Sequence, residues 1–583
     1  MASHPQSSPV RFAEFAFDPQ TGELRRNGVA LKLAAQPAKV LSHLIERAGE
    51  IVTRKDLVRH VWGAGTFVDF EQGLNFAIRQ IRAALEDERD HPRFVETLPK
   101  RGYRFIAPVA QAVPRAIHSI AVLPLENLSP DPEQEYFADG ITDELITVLA
   151  KVSSLRVISR TSVQQYKRAR EPLPEIARKL NVDAVVEGTI LRWEGRVRIT
   201  AQLLDARTEA HLWAESYERD LGDVMKLQAE ITQAIARQIN VRLSREDQSR
   251  LKSAGRVNPA AHESYLKGRY FWNKRTDATL KKAQEHFEDA IAKDPAYALA
   301  YSGLADTYFF RGYIFGRSDP REVMPKAKDS ALKALELNPD LAEAHTSLGL
   351  VLLFYDFDLP RAGQEFETAL RLNPNYPTGY HAYSAYLAIT GRPQEAIRAA
   401  RQGLEIDPLS IPINNFLGEA LMFAQEWERA GAQFRQGIEM DPNVWLLHFN
   451  LGLVLEETGK LHEAAEEYLT VCALEGARPD TLGALRTACE RDGLAGFRQQ
   501  KSSPDLGRWD GWSSDPFRIA QDQARMGESD SALALLEQAY EARSGWVVWI
   551  QNYPHFNNLR PHPRFQRLAR CLGLPKEVTP PRA

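Results

Sequence analysis

At 583 residues the chain is too long for one hydrophobic core, and about three to five folded units are expected at the usual ~100–200 residues per domain. Hydrophobic residues at 44% and charged residues at 26% describe a soluble globular protein. The net charge of −4, from 73 basic and 77 acidic side chains, excludes a uniformly basic nucleic-acid coat but not a local basic patch. The three cysteines, Cys472, Cys489 and Cys571, form no CxxC pair, so neither a disulfide framework nor a zinc site is expected. No stretch approaches the ~20 apolar residues of a membrane span. The opening MASHPQSSP lacks the pattern of a secretory signal, so a cytoplasmic chain without membrane contact is expected.

Two weak seams, Ala107–Ala116 and Ser253–Pro259, divide the chain into three parts. Residues 10–108 predict short strands, three helices and a final hairpin. Alternation in VRFAEFAFDPQTGELRRNGVALKL, broken by turn residues, predicts strands, and PAKVLSHLIERAG predicts a helix ended by Gly49. Thr53 can cap RKDLVRHVW, and Asp69 can cap a third helix running to about Leu85. In that third helix Leu74, Ile78, Ile81 and Leu85 make one apolar stripe, while Gln72, Asn75, Arg79 and Arg82 lie on another face. Long hydrogen-bonding side chains on an exposed helix are what base-edge readout needs: Arg pairs with guanine, Asn with adenine. The hairpin TLPKRGYRFIAPV sets Lys100, Arg101 and Arg104 around Gly102, a basic turn suited to phosphates or a minor groove. Charge alone does not decide the matter, because residues 1–108 carry 16 basic and 13 acidic side chains, a net of +3, which leaves −7 on the remainder.

The blocks GEIVTRKDLVRHVWG, VDFEQGLNFAIRQIRAALED and HPRFVETLPKRGYRF resemble the winged helix-turn-helix domain of OmpR/PhoB-type regulators, and more narrowly the CadC-like branch. The resemblance implies a recognition helix at about 69–86 in the major groove of promoter DNA. Gln72 shares its outward face, and Asn75, Arg79 and Arg82 are implied as base or backbone contacts. Thr53 and Arg54 are implied as phosphate contacts, and Lys100, Arg101 and Gly102 as the wing. Trp62, Tyr103 and Phe105 fall to the core. Only about ten residues precede this domain, so control through a phosphorylated receiver domain is not expected. The short, mixed junction Ala107–Ser119 does not look like the spanning helix of CadC-like membrane sensors.

Residues 117–245 predict alternating strands and helices, hence a mixed α/β domain. SIAVLPL and LRVISR are strand-like, EYFADGITDELITVLAKV and LPEIARKLNV helical. DAVVEGTILRW, GRVRITAQLLDA and EAHLWAESYERD form three strands joined by hairpin turns, with Val197, Ile199, Ala201 and Leu203 on one buried face. IAVLPLENLSPDPEQEYFADGITDELITVLAK and VDAVVEGTILRWEGRVRITAQLLDARTEAHLW resemble the TolB N-terminal-like domain, which implies a fold without established chemistry. Asp139, Asp143 and Glu144 cluster, but helix capping or solvent exposure is the preferred reading over a metal site.

The last part is periodic. Pro295, Pro339, Pro374, Pro408 and Pro442 each follow Asp or Asn, at spacings of 44, 35, 34 and 34 residues. The interval and residue pattern resemble tetratricopeptide (TPR) repeats. Leu348–Gly349, Leu417–Gly418 and Leu451–Gly452 fall on first helices, and Gly391 and Gly459 at turns within repeats. Ala283, Ala327, Ala362, Ala396, Ala430 and Ala464 take the small position of second helices. About six repeats fit within 259–476, with a further repeat and cap at 513–575. The excess in repeat two maps to IFGRSDPREV as a loop insertion. Stacked pairs share a core and offer a concave groove, so a protein or peptide partner there, or oligomerisation, is expected. Tyr301, Tyr308, Trp427, Trp445 and Tyr468 read mostly as repeat core.

No GxxxxGK[ST], GxGxxG after a strand, HExxH or GxSxG occurs, so no enzymatic activity, cofactor or metal is expected. The whole reads as a soluble bacterial transcription regulator, with a winged helix, a central α/β domain and a TPR α-solenoid, possible as a homodimer on tandem half-sites. The alternative is a TPR interaction adaptor whose winged helix has become a protein-binding module.

Overall fold

The computed structural model describes residues 10–19, 21–26, 28–62, 70–111, 117–129, 131, 134–152, 154–167, 171–239, 258–313, 318–503 and 515–575. The chain forms two units, Met1–Ala116 and Ile117–Ala583. Asp69, which the sequence offers as a helix cap, and the Trp62 side chain lie outside the described residues, as do the final residues of the expected central domain.

In the first unit, strands β1 (Val10–Phe12), β2 (Phe15–Phe17), β3 (Leu24–Arg26) and β4 (Val29–Leu31) form an antiparallel meander, and β8 (Ala110–Gln111) closes its other edge against β1. The alternation read from the sequence turns Phe12, Phe15, Phe17 and Leu24 inward. Helices α1 (Ala35–Glu46), α2 (Arg54–Trp62) and α3 (Phe70–Leu85) pack beside this sheet, with Val40, Leu41, Leu44, Leu57, Leu74, Ile81 and Leu85 fully buried. A second small sheet follows the order β5 (Val52–Thr53), β7 (Gly102–Phe105), β6 (Val95–Leu98). Phe105 of the hairpin meets Phe12 edge-on at 5.0 Å, which ties the hairpin to the meander.

The second unit begins with a sheet in the order β11 (Arg156–Val157), β9 (Ser119–Val122), β12 (Ala184–Trp193), β13 (Arg196–Asp205), β14 (His211–Asp220), with β10 (Glu126–Asn127) on β12. The three expected hairpin strands are present, and Val197, Ile199, Ala201 and Leu203 are all buried. The strand expected from LRVISR shrinks to two residues. Immediately after it Ser159 N–H donates to the Ile406 carbonyl at 2.9 Å and Ser162 Oγ to Asp407 at 2.6 Å, so the chain leaves the sheet to dock on a repeat turn. Helix α4 (Glu135–Ala150) buries Leu145 and Leu149, whereas Val148 is half-buried. Its carboxylates serve packing. Asp139 pairs with Lys167, Asp143 with Arg269 of the first repeat, and Glu144 accepts from Gln228.

Six helix pairs follow, from Pro259–Trp272 with Asp277–Lys293 to Trp445–Glu457 with Leu461–Leu474. Each expected small-position alanine is fully buried. The first-helix glycines admit an aromatic ring from the second helix. A Cβ at Gly418 would stand 2.4 Å from the Phe434 ring, and one at Gly349 2.6 Å from Phe366. Asp294, Asn338, Asn373 and Asp441 end second helices in extended conformation, where a following proline pushes a residue, and Asp407 before Pro408 is likewise non-helical. The excess of repeat two is not simply a loop: its helices run 16 and 18 residues where repeat five has 13 and 14, and Pro320–Val323 are helical. Of the five aromatics read as repeat core, Tyr308 and Tyr468 are buried and Tyr301, Trp427 and Trp445 half-buried. A kinked helix, Pro479–Lys501, precedes a further pair, Pro516–Arg525 and Ser529–Glu541, and a last helix, Pro563–Cys571. Among the described residues no helix is long and apolar enough to cross a membrane.

Candidate nucleic-acid interface

Helix α2 starts at Thr53, whose Oγ accepts from the Asp56 N–H at 3.2 Å and donates to the Asp56 carboxylate at 2.6 Å. This reciprocal cap satisfies an orphan N–H, and the Thr53 hydroxyl is the first cause holding the Asp56 carboxyl below its usual range. Thr53, Lys55 and Arg59 are exposed along this start and flank. Arg54 is turned inward. Its Nη2 donates to Tyr103 Oη at 2.7 Å and to Asn75 Oδ1 at 3.0 Å, with the guanidinium 5.2 Å over the Tyr103 ring.

Helix α3 follows from its sequence period. Leu74, Ala77, Ile78, Ile81 and Leu85 are buried, which orients Gln72, Asn75, Phe76 and Arg79 outward, all four exposed. Asn75 Oδ1 accepts from both Arg54 and Tyr103 Oη, the latter at 3.1 Å. Because a guanidinium only donates, the amide oxygen must face Arg54, and the Nδ2 donors point elsewhere. Arg79 makes one loose bond, Nε to the Asn75 carbonyl at 3.4 Å, and is otherwise exposed on the surface.

Arg82 departs from that outward face. Its Nη2 donates to the Val95 carbonyl at 2.7 Å and to Thr97 Oγ at 2.8 Å, so it braces α3 against the hairpin. The spacing that placed it with Arg79 could not show this, because a hairpin thirteen residues later supplies the acceptors.

The hairpin turn is Leu98–Pro99–Lys100–Arg101, closed by Arg101 N–H to the Leu98 carbonyl at 3.0 Å. Proline at its second position and φ of +62° at Lys100 are the signature of a type II turn. That third position normally takes glycine, so Lys100 holds a strained backbone with its side chain exposed. Gly102 pairs with Thr53 across β5 and β7, and a Cβ there would stand 2.1 Å from the Val52 carbonyl oxygen. Only glycine lets β7 approach β5 this closely. Arg104, grouped with the basic turn by sequence, pairs instead with Glu96 across the hairpin at 2.6 Å.

Three roles were not read from the sequence. Asp87 is buried and accepts the N–H groups of Arg93, Phe94 and Val95, which fixes the entry into the hairpin. Tyr103 is both core and a hydroxyl that orders Arg54 and Asn75. Phe76, 53% exposed between Asn75 and Arg79, is an apolar side chain offered to the surface. Its place beside the polar face was the available signal.

A three-helix unit with a recognition-type helix, an N-terminal meander and a basic hairpin is a winged helix-turn-helix. Residues 28–105 match the family model for the C-terminal domain of transcriptional regulatory proteins, residues 116–234 that for the second domain of HilA/YgeH-like transcriptional regulators, and residues 417–480 a tetratricopeptide repeat. The middle match describes that region as HilA/YgeH-like, and no match to a TolB-like domain accompanies it. The chain therefore carries an OmpR/PhoB-type DNA-binding domain and C-terminal TPR repeats, with HilA- and CadC-like regulators among its relatives. It is 25% identical over 412 residues to the transcriptional regulator HilA of Salmonella typhimurium, covering 69% of this chain and 72% of HilA. Against the transcriptional activator CadC of Escherichia coli the identity is 30% over 105 residues, 18% of this chain and 20% of CadC. A putative adenylate cyclase 3 of Rhizobium meliloti is 36% identical over 237 residues, and the chain spans 40% of that relative's length.

Proposed function

We propose that the protein binds double-stranded promoter DNA in the cytoplasm and regulates transcription, α3 entering the major groove and the hairpin lying on the adjacent backbone. The observation that carries this is the exposed row Gln72, Asn75, Phe76 and Arg79, held outward by a fully buried opposite face. Arg79 pairs with guanine and Phe76 meets a thymine methyl. Asn75 contributes Nδ2 donors alone, since its oxygen is occupied, which disfavours the bidentate adenine contact. Lys100 and Arg101 contact phosphates, Thr53 lies at the α2 start against the backbone, Arg54 orients Asn75 instead of contacting a phosphate, and Arg82 positions α3 rather than reading a base. Gly102 sets the shape of the wing.

The repeats engage a protein partner, and a homodimer doubles the DNA contacts. The cyclase name of one relative does not transfer as an activity. The central carboxylates are tied to Lys167, Arg269 and Gln228, and no phosphate-cradling motif is present in the sequence. A mobility-shift assay with promoter fragments tests the reading: a saturable, sequence-dependent shift is expected. Equal affinity for every duplex, or none, would favour the adaptor reading.

A further inference from the structure

The first helices of successive repeats line one face of the array, and in this chain residues 545–556 lie along it. The Trp549 indole N–H donates to Tyr313 Oη at 3.2 Å, and its ring lies 6.3, 6.0 and 5.7 Å from Phe354, Phe416 and Phe423. Asn552 Nδ2 donates to the Ala388 carbonyl at 2.9 Å, and His555 stacks on Phe449 with planes 5° apart. Twelve consecutive residues thus reach the first helices of repeats two to six. Helices so far apart in sequence meet one indole only where the stack curves inward, so the segment occupies the concave side.

Two properties separate this strap from a repeat. It is built of 3-10 turns, Gly545–Trp549 and Pro554–Phe556, and adds no helix pair to the stack. It also buries polar groups. Gln551 Oε1, Asn552 Oδ1 and His555 Nδ1 have no protein hydrogen-bond partner among the described residues, and the buried Tyr553 hydroxyl interacts electrostatically with the buried Glu419 carboxyl. A segment serving only as core would be apolar throughout, since unpaired buried polar atoms lower stability. Aromatic anchors in fitted pockets with a few amide hydrogen bonds are instead the chemistry of a recognised peptide. The fit is close at the entry: a Cβ on Gly545 would stand 2.7 Å from the Tyr313 ring.

We propose that residues 545–556 are a tethered ligand of the repeat array, closing its concave face to outside peptides until the strap is released. A partner that takes the face presents the same chemistry, an aromatic anchor followed by an amide and a tyrosine within one helical turn's span. This rests on the reading that the repeats bind a protein partner and is independent of DNA binding.

The test uses the full chain and a labelled synthetic peptide of residues 544–557, followed by fluorescence anisotropy. Trp549→Ala with Asn552→Ala loosens the tether without touching the groove. Roughly ten-fold tighter peptide binding by this variant than by the natural chain is expected, because a closed state lowers apparent affinity by its population. Equal binding by both, or a folded variant that binds no peptide, overturns the proposal. Hydrogen exchange on the natural chain decides independently should the variant fail to fold. Amides of 547–556 are expected to exchange roughly ten-fold faster than those of Leu417–Ala420, through local release. Equal protection overturns it. Duplex binding by the same samples is a separate arm, and its loss would speak only against the DNA reading.

Discussion

Asn75 Oδ1 accepts a hydrogen bond from Arg54 Nη2 at 3.0 Å, linking α3 to the helix before it. The bond assigns the amide orientation and makes Arg54 a positioning residue for Asn75. In a double-mutant cycle of Arg54→Ala and Asn75→Ala on operator affinity, a coupling of about 0.5–3 kcal/mol is expected. Strict additivity would show that the two residues act separately on DNA.

Arg79 and Arg82 lie one helical turn apart yet should separate cleanly. Arg79→Ala is expected to lose about 1–3 kcal/mol of discrimination between operator and unrelated duplex, with the melting curve unchanged. Arg82→Ala removes two charge-assisted bonds to the hairpin and should destabilise the domain by about 1.5–3 kcal/mol in denaturant unfolding. The reverse pattern would return Arg82 to the list of base contacts.

The wing makes two opposite predictions. Gly102→Ala places a methyl against the Val52 carbonyl and is expected to cost about 3 kcal/mol of stability by chemical denaturation. Lys100→Gly relieves the positive φ and should raise stability by about 1 kcal/mol while lowering the salt slope of DNA binding by about 1. A stable Gly102→Ala protein, or an unchanged slope for Lys100→Gly, would remove the respective role.

Two repeats carry the same histidine bridge. His345 lies between Glu365 at 2.6 Å and the Pro339 carbonyl at 2.9 Å, and His448 between Glu467 at 2.6 Å and the Pro442 carbonyl at 3.0 Å. Acceptors on both ring nitrogens favour the imidazolium. Burial pulls His345 down, but the Glu365 and Pro339 bonds outweigh it. For His448 the Glu467 bond dominates, and both pKa values are raised. Since the folded pKa exceeds the unfolded value near 6.5, this stability is complete below about pH 6.5 and is lost as pH rises through the folded pKa. The melting difference between the natural chain and His345→Gln/His448→Gln should shrink across that rise. A difference constant with pH would show that the histidines are neutral throughout.

Much of this was legible in the sequence because it is local. The α3 stripe, the buried alanines and the three hairpin strands follow from periods of 3.6, 34 and 2 residues, and the Thr53 cap from its residue type at a helix start. What escaped depends on partners distant along the chain. Arg82 and Arg104 read as free basic residues until a folded hairpin supplied Val95, Thr97 and Glu96. Trp549 carried no periodic signal, and its contacts with Tyr313 and Phe416 exist only once the repeats curve.

The central claim is that the α3 face reads DNA sequence. Genome-wide footprinting of the tagged full chain, run beside Arg79→Ala, tests it most directly. One shared motif in the natural chain's footprints, lost or relaxed at a defined position in the variant, is the predicted result. Footprints without a common motif, or an identical motif in both proteins, would contradict it.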